Sequence, residues 1–141
     1  MAVSGKMYGN AILKAFNKDV DWDTDIIKVA LLASAYTPNQ DTDILWSAIS
    51  SNEVTGVGYT VGGATLASKT IAYDNATNVI KMDSADVTWA TSTITARYAV
   101  IYDSTSGILL GYVDLGVNES SSAGNFTLVW DANGIFTVTV T

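Results

Sequence analysis

The sequence has no cysteine and no histidine, and it has only one proline among 141 residues. Without cysteine the chain has no disulfide, no thiolate nucleophile and no thiolate metal site. Without histidine the usual general base is missing, and every Ser-His-Asp arrangement is missing with it. The only two glutamates, Glu53 and Glu119, lie in predicted loops, and no pattern brings a carboxylate pair into an apolar pocket. We therefore predict no catalytic, cofactor or metal site, and no enzyme activity.

Positive charge is also scarce. Seven basic residues stand against fourteen acidic ones, which gives a net charge of −7. Nucleic acids and anionic membranes both require clustered lysine and arginine, so we expect neither as a partner. The N-terminal apolar run is too short for a signal peptide, and no stretch approaches the ~18 apolar residues of a membrane span.

Charged residues make up 15% of the chain, well below the ~25% of an average soluble domain. So little surface charge is compatible with an ordinary β-rich domain, whose strands favour Thr, Val and Tyr. It also suits a protein whose surface becomes packed against other proteins. Composition alone leaves both interpretations open.

Hydrophobic residues make up 48% of the chain, enough for one core. We predict a single β-rich domain over residues 1–141, with residues 1–9 as a flexible N-terminal arm. Short strands at regular spacing, separated by turn signals, predict a mainly β fold, an antiparallel β-sandwich or barrel. The segment "IIKVALLAS" reads as a buried strand, a hairpin is predicted around residues 75–78, and "NESSSAG" reads as a flexible polar loop.

Two helical segments are predicted within this β pattern. One short N-terminal helix begins near Asn10, which would cap it, with Ile12, Leu13 and Phe16 on one face. A helical turn is predicted near residues 41–49. Its inward side would carry Ile44, Leu45, Ala48 and Ile49.

Four glycines fall within residues 56–63, in "GVGYTVGG". The spacing is one residue longer than the dinucleotide fingerprint, and a predicted strand follows where that fingerprint needs a helix. The phosphate-loop motif also fails, because Lys69-Thr70 stands six residues after Gly63. These glycines are therefore predicted to serve turns, bulges or close backbone approaches.

Aspartates alternate in "DVDWDTD", residues 19–25. The segment lacks the glycine and glutamate positions of an EF-hand loop. As an extended segment it would place the carboxylates on a solvated face and Val20, Trp22 and Thr24 on the other. A loose cation site is the alternative. The four tryptophans are spread one to a segment, which favours core or interface anchors over a sugar-binding platform.

From about Asp25 onward the chain resembles a family of small structural proteins of tailed-bacteriophage virions. The segments that carry the resemblance are "NEVTGVGYTVGGATLASKTIAYD", "DVTWATSTITARYAVIYD" and "FTLVWDANGIFTVTV", in that order. Family members are described as head decoration, minor capsid or tail-associated proteins. The resemblance implies a non-enzymatic virion component, assembled in the cytoplasm of the bacterial host. The first 24 residues lie outside the resemblance.

Within that family the leading hypothesis is a capsid decoration (cement) protein on the outer surface of the head. It would bind the major capsid protein as a homotrimer at local three-fold positions and so stabilise the shell. The alternatives are a tail or tail-fibre-associated adaptor and a carbohydrate-binding module on the virion surface. The arm and the loops at 52–63 and 117–124 are the expected contact regions. The predicted contact residues are Met1, Val3, Lys6, Tyr8, Glu53, Val57, Tyr59, Asn118 and Glu119.

Overall fold

The protein, described here over residues 2–141 by a computed structural model, is mainly β. A six-stranded sheet and a three-stranded sheet form a sandwich-like arrangement and not a closed barrel. The mainly β prediction is confirmed, and of its two alternatives the sandwich is the one observed. The strands are β1 Ala2–Val3, β2 Lys6–Met7, β3 Ile27–Leu32, β4 Ala64–Thr65, β5 Thr70–Asp74, β6 Val79–Asp83, β7 Val87–Asp103, β8 Leu109–Trp130 and β9 Phe136–Thr139. The helices are α1 Gly9–Phe16 and α2 Trp46–Ile49, the second followed by a 3-10 turn at Ser50–Asn52.

The large sheet is built on the hairpin of β7 and β8. Its order is β1–β8–β7–β3–β4, and β2 also pairs with β8. All its pairings are antiparallel except that of β1, which runs parallel to the end of β8. The small sheet has the order β5–β6–β9, and its β5–β6 hairpin turns at residues 75–78 as predicted.

The fully buried carboxylate of Asp103 closes the turn between β7 and β8. It accepts hydrogen bonds from the backbone N–H of Thr105 at 2.8 Å and from the hydroxyl of Ser106 at 2.6 Å. A buried carboxylate is tolerated only where such donors replace its hydration. The turn is therefore held by the side chain that ends β7.

The prediction of a flexible loop at "NESSSAG" is wrong, because these residues belong to β8. Glu119, Ser120 and Ser121 pair with β7, and the hydroxyls of Ser120 and Thr95 lie 2.7 Å apart. Hydroxyl pairs across neighbouring strands stabilise a sheet that lacks apolar side chains on its solvent face. The pairing is irregular at Ser122 and Ala123, between the pairs Ile94–Ser121 and Ser92–Gly124, and at a bulge of residues 115–118, between the pairs Tyr98–Asp114 and Ala96–Glu119.

Residues 2–9 are not a free arm. Ala2 and Val3 pair with the end of β8, and Lys6 and Met7 pair with its beginning. Tyr8 follows with only 1% of its surface exposed. The backbone of this segment is bonded along β8, so it is part of the sheet; Met1 lies outside the described residues.

The core lies on both faces of the large sheet. β3, the buried strand predicted from "IIKVALLAS", contributes to the core on both faces, because alternate side chains of a strand point to opposite faces. Ile27, Val29 and Leu31 belong to the cluster shared with the small sheet, and Ala30 and Leu32 to the cluster with Tyr36 and Ile49. The segment that contains α2 thus covers one face, and the small sheet with α1 covers the other.

Both helices exist, but their details differ from the predictions. α1 begins at Gly9 after Tyr8, and no side chain caps it, so Asn10 is not the cap. The buried residue of α1 is Ala11, whereas Ile12 and Phe16 are exposed. In the second helical segment Ile49 is buried as expected, but Leu45 and Ala48 are exposed.

A chain of hydrogen bonds links the N-terminal segment to the cover of the large sheet. The hydroxyl of Tyr36 donates to the carboxylate of Asp43 at 2.7 Å and lies 2.6 Å from the hydroxyl of Tyr8. Burial raises the pKa of both phenols well above the ordinary value, and the neighbouring Asp43 raises it further. Burial likewise raises the pKa of Tyr102 to about 12.

These raised pKa values predict alkaline unfolding. Above the ordinary tyrosine pKa of about 10 the unfolded chain ionises, while these phenols stay neutral in the folded chain. Their contribution to stability is complete below that pH and is lost as the pH rises through the folded pKa values. We expect the urea midpoint to fall between about pH 10 and 12, with tyrosinate absorbance appearing together with unfolding. Titration of all seven tyrosines near pH 10 in a chain that stays folded would contradict this.

Candidate functional site

An apolar groove opens between α1 and the inner face of the small sheet. On that face Ile71, Met82 and Phe136 lie in register across β5, β6 and β9. The next row consists of Tyr73, Ile80 and Val138. Met82 and Phe136 are buried, but Tyr73 is exposed and Ile80 and Val138 are only partly buried. The first row is therefore largely covered by other parts of the protein, whereas the second row is not. The groove begins at this boundary on the inner face of the small sheet.

α1 forms the opposite wall of the groove. Ala11 anchors the helix in the core, and Ile12, Ala15 and Phe16 line the opening. Phe16 is 85% exposed. The groove has a volume of about 530 Å³, and among residues 2–141 its only charged lining residues are Asp21 and Asp23. Pockets of this size and character are typical binding sites.

The aspartate segment beside the groove is a turn and not an extended segment. The Asp21 carboxylate accepts hydrogen bonds from the backbone N–H groups of Asp23 at 3.0 Å and Thr24 at 3.2 Å. The Asp25 carboxylate accepts the N–H of Asp21 at 2.7 Å. The hydrogen bonds from Thr24 are the main reason that the pKa of Asp21 lies below its usual range. Thr24 is exposed, contrary to the prediction that it faces inward.

Trp22 and Val20 are buried beneath this turn, as predicted. The indole N–H of Trp22 donates to the carbonyl of Thr70 at 2.9 Å, which ties the turn to β5. The Lys69 ammonium donates to the carbonyl of Asp25 at 2.6 Å and to that of Asp23 at 3.3 Å.

The turn does not gather its carboxylates into a metal site. Over residues 2–141 no three acidic side chains come close enough together to hold a metal ion. The cation that the turn binds is the ammonium of Lys69, through backbone oxygens. No ion pair within residues 2–141 involves Asp21 or Asp23.

The glycine-rich segment serves the architecture, as predicted. Gly58, Gly62 and Gly63 have positive φ angles, and β4 follows Gly63 directly. The carboxylate of Glu53 accepts hydrogen bonds from the hydroxyl of Tyr59 and the N–H of Gly62, both at 2.7 Å. These bonds fasten the glycine loop against β3, because the Tyr59 hydroxyl also accepts the N–H of Leu31 at 2.9 Å.

The predicted contact residues are spread over several surfaces. Val3 and Glu119 line a second pocket of about 340 Å³ along β8. Lys6 is exposed on β2, Val57 is exposed at 71% in the glycine loop, and Asn118 is exposed in the bulge of β8. Tyr8 is buried and offers a partner no surface, and Glu53 and Tyr59 bond to each other. Among the members of the set that the structure describes, which leaves out Met1, only Val3 and Glu119 share a pocket.

The groove was not among the predicted contact regions. Its signal in the sequence is the apolar pattern of α1, from which we predict only that Ile12, Leu13 and Phe16 share one face. Periodicity identifies an apolar face but does not say what covers it.

Most tryptophans serve the core. Trp22, Trp89 and Trp130 are buried, and Trp46 stacks on Tyr102 with ring centroids 4.5 Å apart and planes 9° apart. This agrees with the interpretation of separate anchors.

Comparison of the chain with models of protein families, with curated proteins and with solved structures finds no match in any of the three. None of the helices within residues 2–141 has the length and apolar character needed to cross a membrane.

Two glycines with the same backbone angle give a matched test of the glycine loop. Gly63 and Gly107 both have φ near +80°, but a Cβ on Gly63 would overlap the Val29 carbonyl, whereas nothing lies within 4 Å of one on Gly107. We expect Gly107→Ala to lower the free energy of unfolding by about 1–2 kcal/mol, because alanine disfavours the left-handed conformation by this amount. Gly63→Ala should lower the free energy of unfolding by at least about 1 kcal/mol more, measured by urea denaturation. Equal costs would show that the close approach to β3 is unimportant.

The groove wall and floor are expected to differ in their effect on stability. Phe16→Ser should change the free energy of unfolding by less than about 0.5 kcal/mol, since surface substitutions rarely do more. Phe136→Ala on the floor, 1% exposed, should cost about 3–5 kcal/mol. Thermal unfolding of both variants beside the parent chain measures the difference. A large loss for Phe16→Ser would mean that this side chain packs within the fold.

Proposed function

We propose that this chain is a structural protein of a tailed-bacteriophage virion, a capsid decoration protein that binds the outer surface of the head. In this role it contacts the major capsid protein as a homotrimer and stabilises the assembled shell without enzymatic activity. The proposal combines the resemblance of the sequence to such virion proteins with one structural observation, the exposed apolar groove.

The groove carries the proposal because it is an apolar pocket of about 530 Å³ that is open to water. Pockets of this size, mostly apolar and with a few polar groups, are where proteins bind other molecules. Phe16, at 85% exposure, contributes nothing to the core and is available to a partner. Aromatic side chains are enriched among the residues that dominate protein interfaces.

The surroundings of the groove are held in place before any partner arrives. The indole of Trp22 bonds to β5, and the Lys69 ammonium bonds across the aspartate turn. A binding surface that is already ordered loses little conformational entropy on association. This suits a protein that attaches to a finished lattice.

Stabilisation of the shell would follow from mass action. A protein that binds the assembled lattice but not free subunits stabilises the lattice by RT ln(1 + [L]/Kd), which is about 2.7 kcal/mol at a hundredfold excess over Kd. The net charge of −7 opposes contact with a packaged genome and favours a position outside the shell.

The test is to add the purified chain to phage heads that lack it. We expect it to sediment with the heads, to saturate at a fixed ratio, and to raise their calorimetric melting temperature. Sedimentation equilibrium of the chain alone measures whether it is a trimer. Absence from the pellet together with an unchanged melting temperature would overturn the proposal.

Labelling of whole virions with an antibody to this chain separates the head from the tail. Negative-stain images should show label distributed over the capsid. Label confined to the tail would assign the chain to a tail adaptor instead.

A further inference from the structure

We propose that the groove binds an apolar peptide segment of another protein that carries a lysine or arginine, with the basic group beside Asp21 and Asp23. This inference deepens the proposed function. It rests on that function in one respect, because the proposed function identifies the partner protein as the major capsid protein.

The apolar part of the inference follows from the shape and lining of the groove. About 530 Å³ gives room for several side chains, and the floor and both walls are hydrocarbon or aromatic. Ile71 on β5 and Phe16 on α1 stand on opposite sides and are both exposed. An apolar segment between them would remove both from water, which is the main favourable term in association.

The basic part follows from the two charges in that lining. Asp21 and Asp23 are the only charged residues there among residues 2–141, and neither forms an ion pair. The nearby Lys69 ammonium bonds backbone carbonyls of the turn, and it only adds to the hydrogen bonds from Thr24 in lowering the pKa of Asp21. The Asp23 carboxylate also has no hydrogen bond within residues 2–141. A neutral occupant would displace water from these carboxylates without replacing the lost hydrogen bonds. A basic group would compensate for the lost hydration by forming an ion pair.

Asp21 keeps its charge through mildly acidic conditions. Its carboxylate accepts two backbone N–H groups, and these hold its pKa below the usual range. The negative end of the groove is thus a permanent part of the turn at neutral pH.

A second copy of the chain fits the groove less well. A second copy with a net charge of −7 would be repelled by Asp21 and Asp23 at this groove, so the contacts of the proposed trimer belong elsewhere on the surface. Two lysines near the groove are already engaged: Lys14 pairs with Asp19 at 3.4 Å, and Lys69 bonds to backbone carbonyls. The groove therefore favours a partner that brings its own positive charge.

The first test measures binding to heads that lack the chain, with matched variants. Phe16→Ser removes apolar wall and should weaken binding about tenfold or more. Asp23→Asn should weaken it about threefold and reduce its dependence on salt, since removal of a charge at an interface rim lowers the association rate and the salt dependence. Leu45→Ser and Asp41→Asn are the controls, an exposed apolar residue and an exposed aspartate outside the groove lining. Both controls should stay within twofold of the parent chain.

The second test needs no phage particle. Its probes are two nine-residue peptides of leucine and serine that differ only at the central residue, lysine or glutamate. The indole N–H signal of Trp22, a groove residue, reports binding in NMR spectra. We expect the lysine peptide to shift this signal at concentrations at least threefold lower than the glutamate peptide. Asp23→Asn should reduce that difference, and Asp23→Asn combined with Asp21→Asn should abolish it.

The outcomes separate the inference from the proposed function. If the parent chain binds heads and both groove variants bind equally well, the inference is wrong while the proposed function stands. If the parent chain does not bind heads but binds the lysine peptide more tightly than the glutamate peptide, the proposed function is wrong and the inference about the groove stands. Equal response to both peptides overturns the inference, as does self-association of the chain that Phe16→Ser abolishes.

Discussion

The backbone ladder between β7 and β8 is the interaction on which the rest of the molecule depends. These two strands together hold 39 of the 141 residues, and every other strand of the large sheet pairs with one of them or with β3, which itself pairs with β7. β1 and β2 attach to opposite ends of β8. The N-terminal residues and the start of α1 are therefore positioned by a strand that lies more than a hundred residues later in the chain.

The same ladder explains how a chain with so little charge presents a polar surface. Along its exposed face, hydroxyl pairs such as Thr88–Thr127 and Thr95–Ser120 lie within 2.9 Å of each other. Each hydroxyl both donates and accepts, so it satisfies its neighbour and water together. Charged side chains are then left for particular tasks: Asp103 closes a turn, Glu53 holds a loop, and Arg97 pairs with Asp114 opposite the bulge at 2.9 Å.

The sequence predicted those elements whose conformation is determined by residues next to one another in the chain. The apolar run of β3, the β5–β6 turn and the glycine loop each carry their cause in adjacent residues. The serines of β8 could not be recognised in this way, because their strand conformation comes from pairing with β7 and composition alone indicates a loop. Tyr8 was assigned to a free arm for the same reason, since its burial depends on Tyr36 and on β8.

The groove was missed because a helix pattern records which face is apolar and not what covers it. Only Ala11 of α1 reaches the core, and the larger side chains lie past the edge of what the small sheet can bury. A fold that keeps Phe16 in water is exposed to self-association, which a net charge of −7 and the nearby Asp21 and Asp23 oppose. The charges that would repel a second copy at the groove are thus the same ones that would select a basic partner, so protection and recognition would share one set of side chains.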